Sequence, residues 1–334
     1  MASSWHDVIS GIPQGSVLGP ILFVIYINTI VDVIQFSDPY LFADDTKMSK
    51  GIFQADDNDK LQQDINNIYA WSKDSLLKFH LGKLAAMRIT TGNQNLGPPS
   101  YNMDNVLIKQ SDEEKDLGVV IDSKLSFEAH MQSKINKGNS IMGIIRRTIE
   151  YLDEENFRLL FTALVRPQLE YANAVWSPHH KKHITSLENV QRRATKLVPS
   201  LSKLSYDQRL RKLGIPTLAY RRYRGDMIET FKITHGIYDP QVTEGFLPLQ
   251  SDTRTRGHDF TIFKRSCHLD IRKYSFAYRI VDPWNNLPDT VVNAKTVKAF
   301  EIKLDKLWRD SDAMFNPECD IGKLTSARSL RYAE

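Results

Sequence analysis

A chain of 334 residues is long enough for two or three domains, and 41% apolar with 25% charged residues excludes bulk disorder. Two cysteines, Cys267 and Cys319, exclude a disulfide-built scaffold and fit a reducing compartment. The net charge of +4 conceals a division: residues 1–129 carry 10 Lys/Arg against 17 Asp/Glu, residues 130–232 carry 19 against 9, and residues 233–334 carry 15 against 14. An acidic front and a basic middle suit a metal site beside a polyanion-binding surface, or the solvated faces of a Lys/Arg-rich helical domain.

Met1–Ser10 has no basic start followed by an apolar run, so no signal peptide is predicted. The apolar stretch Ile21–Ile27 is too short to span a bilayer. Ser16–Val33 reads as a helix starting just after Gly15, its nearly continuous apolar run predicting burial. Pro20 falls near the first turn, where its missing N–H costs little. Tyr40–Lys47 reads as a hairpin around Ala43–Asp45. Asp57–Phe79 is an amphipathic helix with Leu61, Ile65, Ile68, Trp71 and Leu76 on one stripe. Lys83–Thr90 reads as a strand, Asn93–Ser100 as a turn-rich connector, and Val106–Ile108 and Leu117–Ile121 as paired strands. From Phe127 onward the spacing is helical, over Glu128–Thr148, Asp153–Leu164, Ile184–Val198, Tyr206–Leu213, Leu218–Gly236 and Thr296–Trp308. Asp153 is placed as an N-cap, and Gly214-Ile215-Pro216 as a stop and restart.

The chemistry-bearing stretches are LFADDTK at residues 41–47 and GIPQGSVLGP from Gly11 to Pro20. The first puts adjacent carboxylates, Asp44 and Asp45, on a tight turn behind Leu41 and Phe42. An ordinary Asp-Asp turn is the plainer reading of that pair alone. In the second, Gly11 and Gly15 permit unusual backbone angles, Pro13 stiffens the turn, and Gln14 offers donor and acceptor groups. The helix that follows points free N–H groups at the turn, which suits phosphate. In this order and spacing the two stretches resemble the palm of a reverse transcriptase, closest to the polymerases of non-LTR (LINE-type) retrotransposons of the Jockey and CR1 kind.

The resemblance implies two Mg²⁺ (or Mn²⁺) ions about 4 Å apart for nucleotidyl transfer, with Asp44 a metal ligand and Asp45 supporting it. It implies that Gly11, Pro13, Gln14, Gly15 and Ser16 pack against template and incoming nucleotide, that Phe42 adjoins them, and that Ala43 faces the primer end. FHLGKLAAM (Phe79–Met87) aligns Lys83 with a lysine acting as general acid on pyrophosphate, although His80, Leu81, Leu84 and Ala85 depart from the family phrase. Asp116-Leu117-Gly118-Val119 matches the primer-grip hairpin, with Leu117 and Gly118 at its tip; a plain β-hairpin would use the same residues. RPQLEYANAVWSP (Arg166–Pro178), ENVQRRATKLV (Glu188–Val198), LGIPTLAYRRYRGDMIE (Leu213–Glu229) and VDPWNNLP (Val281–Pro288) extend the resemblance into a thumb and C-terminal region. Phosphate contacts are expected from Arg192, Arg193, Lys196, Arg221, Arg222 and Arg224. Tyr220 and Tyr223 either stack on bases or belong to the core. His179, His180 and His183 lack a nearby cysteine and read as a surface loop. Asp56, Asp57 and Asp59 read as a helix start.

The expected fold is α+β: a truncated reverse-transcriptase palm over 1–125, a helical basic thumb-like region over 126–236, and a mixed C-terminal region over 237–334. The resemblance demands a further palm Asp and fingers upstream of Gly11, where only ten residues stand. The expected function is a reverse transcriptase fragment inactive by itself. The alternatives are a non-catalytic RNA or RNA–DNA binding module, and a translated relic. Expected partners are an RNA template, a DNA primer and dNTP, without a membrane, in the nucleus or a cytoplasmic ribonucleoprotein. A half-palm is also expected to leave apolar helix surface uncovered around Phe23–Tyr26.

Overall fold

The computed structural model describes residues 15–90, 100–250, 258–309 and 311–319. The chain divides into two units, one formed by Met1–Glu114 with Asp122–Lys124, the other by Lys115–Ile121 with Leu125–Glu334.

In the first unit, Ser16 Oγ accepts the Gly19 N–H and opens α1 (Leu18–Ile27), which tightens into a 3₁₀ turn at Asn28–Val33. A two-stranded antiparallel hairpin follows, β1 (Asp38–Phe42) with β2 (Asp45–Ser49), then α2 (Asp56–Asp74). Short strands complete the unit: β3 (Ala85–Ala86) pairs in parallel with β6 (Lys109–Gln110), and β4 (Asn102–Met103) antiparallel with β5 (Val106–Leu107). The core gathers Ile27, Ile30, Ile65, Ile68, Trp71, Tyr101, Met103 and Ile108.

A buried carboxylate positions the hairpin. Asp64 on α2 accepts from the Gln35 and Phe36 backbone N–H groups at 2.9 and 3.0 Å and from Ser37 Oγ at 2.7 Å. Three donors on one carboxylate hold the chain as it enters β1, and they satisfy a group that would be costly to bury alone.

Four expectations fail here. The expected burial of the first helix is confined to one stripe, Phe23, Ile27 and Ile30, which packs on the core with α2. Leu18 is 64% exposed and Ile25 63%, and Ile21, Leu22, Val24 and Tyr26 are exposed beside them. A helix apolar all round can press only one stripe against one neighbour. Leu76 lies beyond the α2 end with φ +56° and is exposed, so it leaves the predicted stripe. The predicted strand at Lys83–Thr90 shrinks to Ala85–Ala86, and Val106 pairs with Met103 rather than with the stretch after Leu117.

The hairpin of β7 (Glu113–Asp116) and β8 (Val119–Asp122) gives its turn, Lys115–Ile121, to the second unit, which continues into α3 (Glu128–Thr148). Then come α4 (Glu154–Leu160), a π-helical stretch Phe161–Val165, α5 (Arg166–Glu170), α6 (Asn173–Trp176), α7 (Lys181–Ala194), α8 (Tyr206–Leu213) and α9 (Leu218–Thr234). Asp153 caps α4 by accepting the Asn156 N–H at 2.7 Å, and Gly214 ends α8 with φ +64°. The remainder is short helices, α10 (Pro240–Thr243), α11 (Asp270–Lys273), α12 (Phe276–Arg279), α13 (Val281–Asn285) and α14 (Asp289–Val292), followed by the longer α15 (Val297–Leu307).

Two apolar clusters fill this unit. One runs from Val119 through α3, α5 and α7 to Leu218; the other joins Tyr220, Met227 and Phe231 to Trp284, Phe300 and Trp308. Helix α9 contributes to both. The VDPWNNLP stretch is a staple of the second cluster. Trp284 Nε1 donates to Phe260 O at 2.8 Å, and Asn285 brackets Ile262 through both its N–H and its C=O.

Candidate functional site

The β1–β2 register pairs Phe42 with Asp45, leaving Ala43 and Asp44 as a two-residue turn. Ala43 takes φ +50°, a left-handed angle that a two-residue hairpin demands of its first turn residue. Exposure alternates along both strands. Pro39, Leu41, Thr46 and Met48 turn inward, while Tyr40, Phe42, Asp45 and Lys47 face out. Asp44 and Asp45 therefore stand next to each other at an open tip, and among the described residues neither carboxylate has a hydrogen bond or an ion pair. The apolar approach is not a buried strand, since Phe42 is 64% exposed.

Two hard-oxygen ligands of this kind match what Mg²⁺ accepts when substrate phosphates and water complete its shell. Among the described residues no third His, Cys, Asp or Glu joins them. Gly15 has φ +85°, with open space where a Cβ would stand. Gly11, Pro13 and Gln14 lie outside the described residues. Lys83 ends a 3₁₀ turn at Leu81–Lys83, with its side chain exposed and its N–H bonded to His80 O.

In the second unit the predicted phosphate contacts separate into two groups. Arg193 and Lys196 are exposed at the end of α7, with Arg193 Nη2 on Asn139 Oδ1 at 3.0 Å. Glu128 meets His183 at 2.9 Å, as Asn139 meets Arg193, so α3 and α7 run side by side in the same direction. Their C-terminal ends thus bring Arg146 and Arg147 to the same end of the pair as Arg193 and Lys196. Arg192 is half-buried, its guanidinium 5.0 Å from the Tyr206 ring centre.

The other three arginines have acids of their own unit as neighbours. Arg221 forks onto Glu170, with Nη2 to Oε2 at 2.8 Å, and Arg224 onto Asp305 at 2.6 and 2.8 Å. Arg222 is buried among Glu188, Glu170 and Asp226, and burial pulls its pKa down. Arg221 and Arg224 are paired with carboxylates of their own unit, while Arg222 lies near three acids without a hydrogen bond to any of them, its Nη1 buried and unpartnered among the described residues. Tyr220 is core, edge-on to Trp308 at 5.9 Å, and burial pushes its phenol up to about 12. Tyr223 packs on the same tryptophan at 5.5 Å.

Sequence reasoning missed the network these arginines join. Glu188 on α7 accepts from Tyr206 Oη at 2.6 Å and from the Leu218 N–H at 3.0 Å, which anchors the start of α9. Burial pushes the Glu188 carboxyl up. Asp226 accepts a two-pronged bond from Arg279, both at 2.9 Å, and Arg279 also donates to Ala174 O at 2.9 Å. The available signal was an acid on an apolar stripe, Leu187-Glu188-Val190-Gln191-Ala194. Of the histidines discounted as a metal site, His179 stacks on Tyr274 at 4.1 Å and His183 bonds Glu128.

The β7–β8 turn places Leu117 and Gly118 at φ +44° and +84°, a type I′ geometry. Both residues predicted for the primer grip are at its tip, and the tip is held from behind by Tyr171, whose hydroxyl donates to Leu117 O at 2.8 Å.

The family pattern for reverse transcriptase (RNA-dependent DNA polymerase) matches residues 2–124, a span that includes α1 and the hairpin tipped with paired aspartates. Over more than half its length the chain is similar to RNA-directed DNA polymerases of mobile elements. It is 24% identical over 208 residues to a probable RNA-directed DNA polymerase from transposon X-element of Drosophila melanogaster, covering 59% of this chain and 22% of that protein. It is 25% identical over 204 residues to the RNA-directed DNA polymerase from mobile element jockey of Drosophila funebris, 57% of this chain and 22% of the relative. The jockey protein of Drosophila melanogaster is 30% identical over 139 residues, 39% of this chain and 15% of the relative. The chain thus spans about a fifth of the length of the curated relatives it matches most extensively, 22% in each. No solved structure matches it significantly. No helix among the described residues is long and apolar enough to cross a membrane.

Proposed function

We propose that the β1–β2 hairpin is the metal-binding tip of an RNA-directed DNA polymerase site, with the first unit as palm and the helices of the second as thumb and C-terminal region. The observation that carries this reading is the adjacent, exposed, unpaired Asp44 and Asp45 at the tip of the β1–β2 hairpin, inside the segment with the reverse transcriptase pattern. Those two carboxylates would hold Mg²⁺ or Mn²⁺. A bound divalent cation supplies charge neutralisation on a triphosphate and a more reactive primer 3′-hydroxyl. The protein's own part is positional. The ladder fixes Asp45 opposite Phe42, Ala43 turns the chain, and the Asp64 bonds hold the strand that leads in. In this reading Phe42 and Ala43 face the nucleotide and primer end, Gly15 and Ser16 the template, and Lys83 supplies a proton to pyrophosphate. The template is RNA, the primer DNA and the substrate dNTP.

Primer extension on an RNA template with Mg²⁺ or Mn²⁺ tests this reading. Where the chain yields product, alone or with a second chain that completes the site, Asp44→Asn is expected to lower it by about 100-fold or more, because one neutralised ligand weakens hold on the charge. Product unchanged by that substitution rules the site out.

A second reading, a module that binds RNA or an RNA–DNA duplex without chemistry, is favoured by the exposed cations at the ends of α3 and α7. Their bland role is to complement the two helix dipoles. If they contact phosphate, Arg193→Ala with Lys196→Ala should flatten log K against log salt by about 2 on an RNA–DNA hybrid. Binding with an unaltered slope would remove both residues from the interface.

A further inference from the structure

We infer that Tyr171, Trp176 and His130 form a clamp on the Leu117–Gly118 turn, making Tyr171 a positioning residue for the 3′ end of a nucleic-acid strand held there. The inference rests on the reading of that turn as the primer grip.

The turn needs holding. Type I′ geometry puts both central residues in the left-handed region, and Leu117 is not a residue that favours it. Four contacts form a closed circuit around it. The Tyr171 hydroxyl donates to Leu117 O at 2.8 Å. The Trp176 Nε1–H donates to Tyr171 O at 2.7 Å. The Trp176 ring packs 5.1 Å from the His130 ring, and His130 Nδ1 accepts the Val120 N–H at 3.1 Å. Since Nδ1 accepts, the proton of the neutral ring is on Nε2. Gly118 completes the fit, because a Cβ there would stand 3.3 Å from Tyr171 Cε1.

The sequence explains how Tyr171 reaches the turn. After α5 the chain leaves helical angles at Tyr171 (φ −54°, ψ 127°), and Ala172 turns left-handed at φ +53° before α6 resumes. The break releases the tyrosine from the helix face and returns Trp176 beneath it. Leu117 and Tyr171 are both exposed, so the clamped tip is open to a partner. Lys134 Nζ lies 5.7 Å from the Tyr171 ring centre and adds a cation suited to a phosphodiester.

The test uses the full chain, Tyr171→Phe and Gly118→Ala. Two readouts are taken: amide hydrogen exchange at residues 117–120, and affinity for an RNA–DNA hybrid with a recessed DNA 3′ end against a blunt hybrid. Tyr171→Phe removes only the hydroxyl. It is expected to speed exchange at the turn about fivefold and to reduce the preference for the recessed end by a similar factor, with the melting temperature nearly unchanged. Gly118→Ala is expected to do the same more strongly. Unchanged exchange in Tyr171→Phe overturns the clamp. Faster exchange with an intact end preference overturns the positioning role. A wild-type chain blind to the recessed end overturns the primer-grip reading itself, and exchange at the turn still decides the clamp.

Discussion

Arg279→Ala is expected to destabilise the second unit by about 3–5 kcal/mol. The guanidinium ties three segments together. It forks onto Asp226 of α9 at 2.9 Å twice, donates to Ala174 O at 2.9 Å, and reaches Tyr274 O at 3.2 Å. Asp226 is buried, so the truncation leaves a carboxylate with no fork and no water. Arg222 still stands near it, which holds the effect short of complete unfolding. Arg279→Lys keeps the charge but not the two-pronged geometry and should fall between. Urea denaturation at neutral pH, read as a midpoint shift at constant slope, measures the effect. A loss under about 1 kcal/mol would show that the pair is solvated and that the network is ornamental.

Acidification supplies the second large effect. His130 has its pKa lowered from the ordinary 6.5 to about 4, first by burial and then by the charge of Lys134. The folded state refuses a proton that the unfolded state accepts. Stability from this group is therefore complete above pH 6.5 and declines as pH falls toward 4, by up to roughly 3 kcal/mol. Protonation also turns the Nδ1 acceptor into a donor facing the Val120 N–H, so the loss is centred on the β8 strand. Denaturation midpoints between pH 7 and pH 4 should fall more steeply for the wild type than for His130→Asn, whose amide oxygen can accept the same N–H without titrating. Parallel curves for the two proteins would exclude His130 as the source.

The helices were legible wherever the apolar period was clear and the ends were marked. The bounds of α3 and α8 follow directly, and the Asp153 cap and the Gly214 stop behave as their chemistry requires. The aspartate hairpin was legible from two residue types and their spacing. What failed did so for identifiable reasons. Strands of two residues, such as β3 and β4, are too short to show alternation. The first helix is apolar at nearly every position, so its sequence carries no phase and cannot say which stripe is covered. Arg221, Arg222 and Arg224 look like a phosphate comb in LAYRRYRGD because the acids that occupy them are remote: Glu170 lies 51 residues before Arg221 and Asp305 lies 81 after Arg224. His130 and Tyr171 gave no signal of their own, since a lone histidine on a helix and a tyrosine after one are ordinary until the turn they hold is in view.

The uncovered side of α1 bears on how this protein would behave in a titration. Added salt screens phosphate contacts, yet it strengthens the clustering of apolar surface, and salting-out anions do so most. Two opposing dependences would then act on one sample. A binding isotherm taken at micromolar protein would bend at high ionic strength, because copies of the chain withdraw into aggregates through Leu18, Ile21, Leu22 and Ile25. Counting phosphates from such a curve would give too few unless the protein were diluted until the bend disappeared.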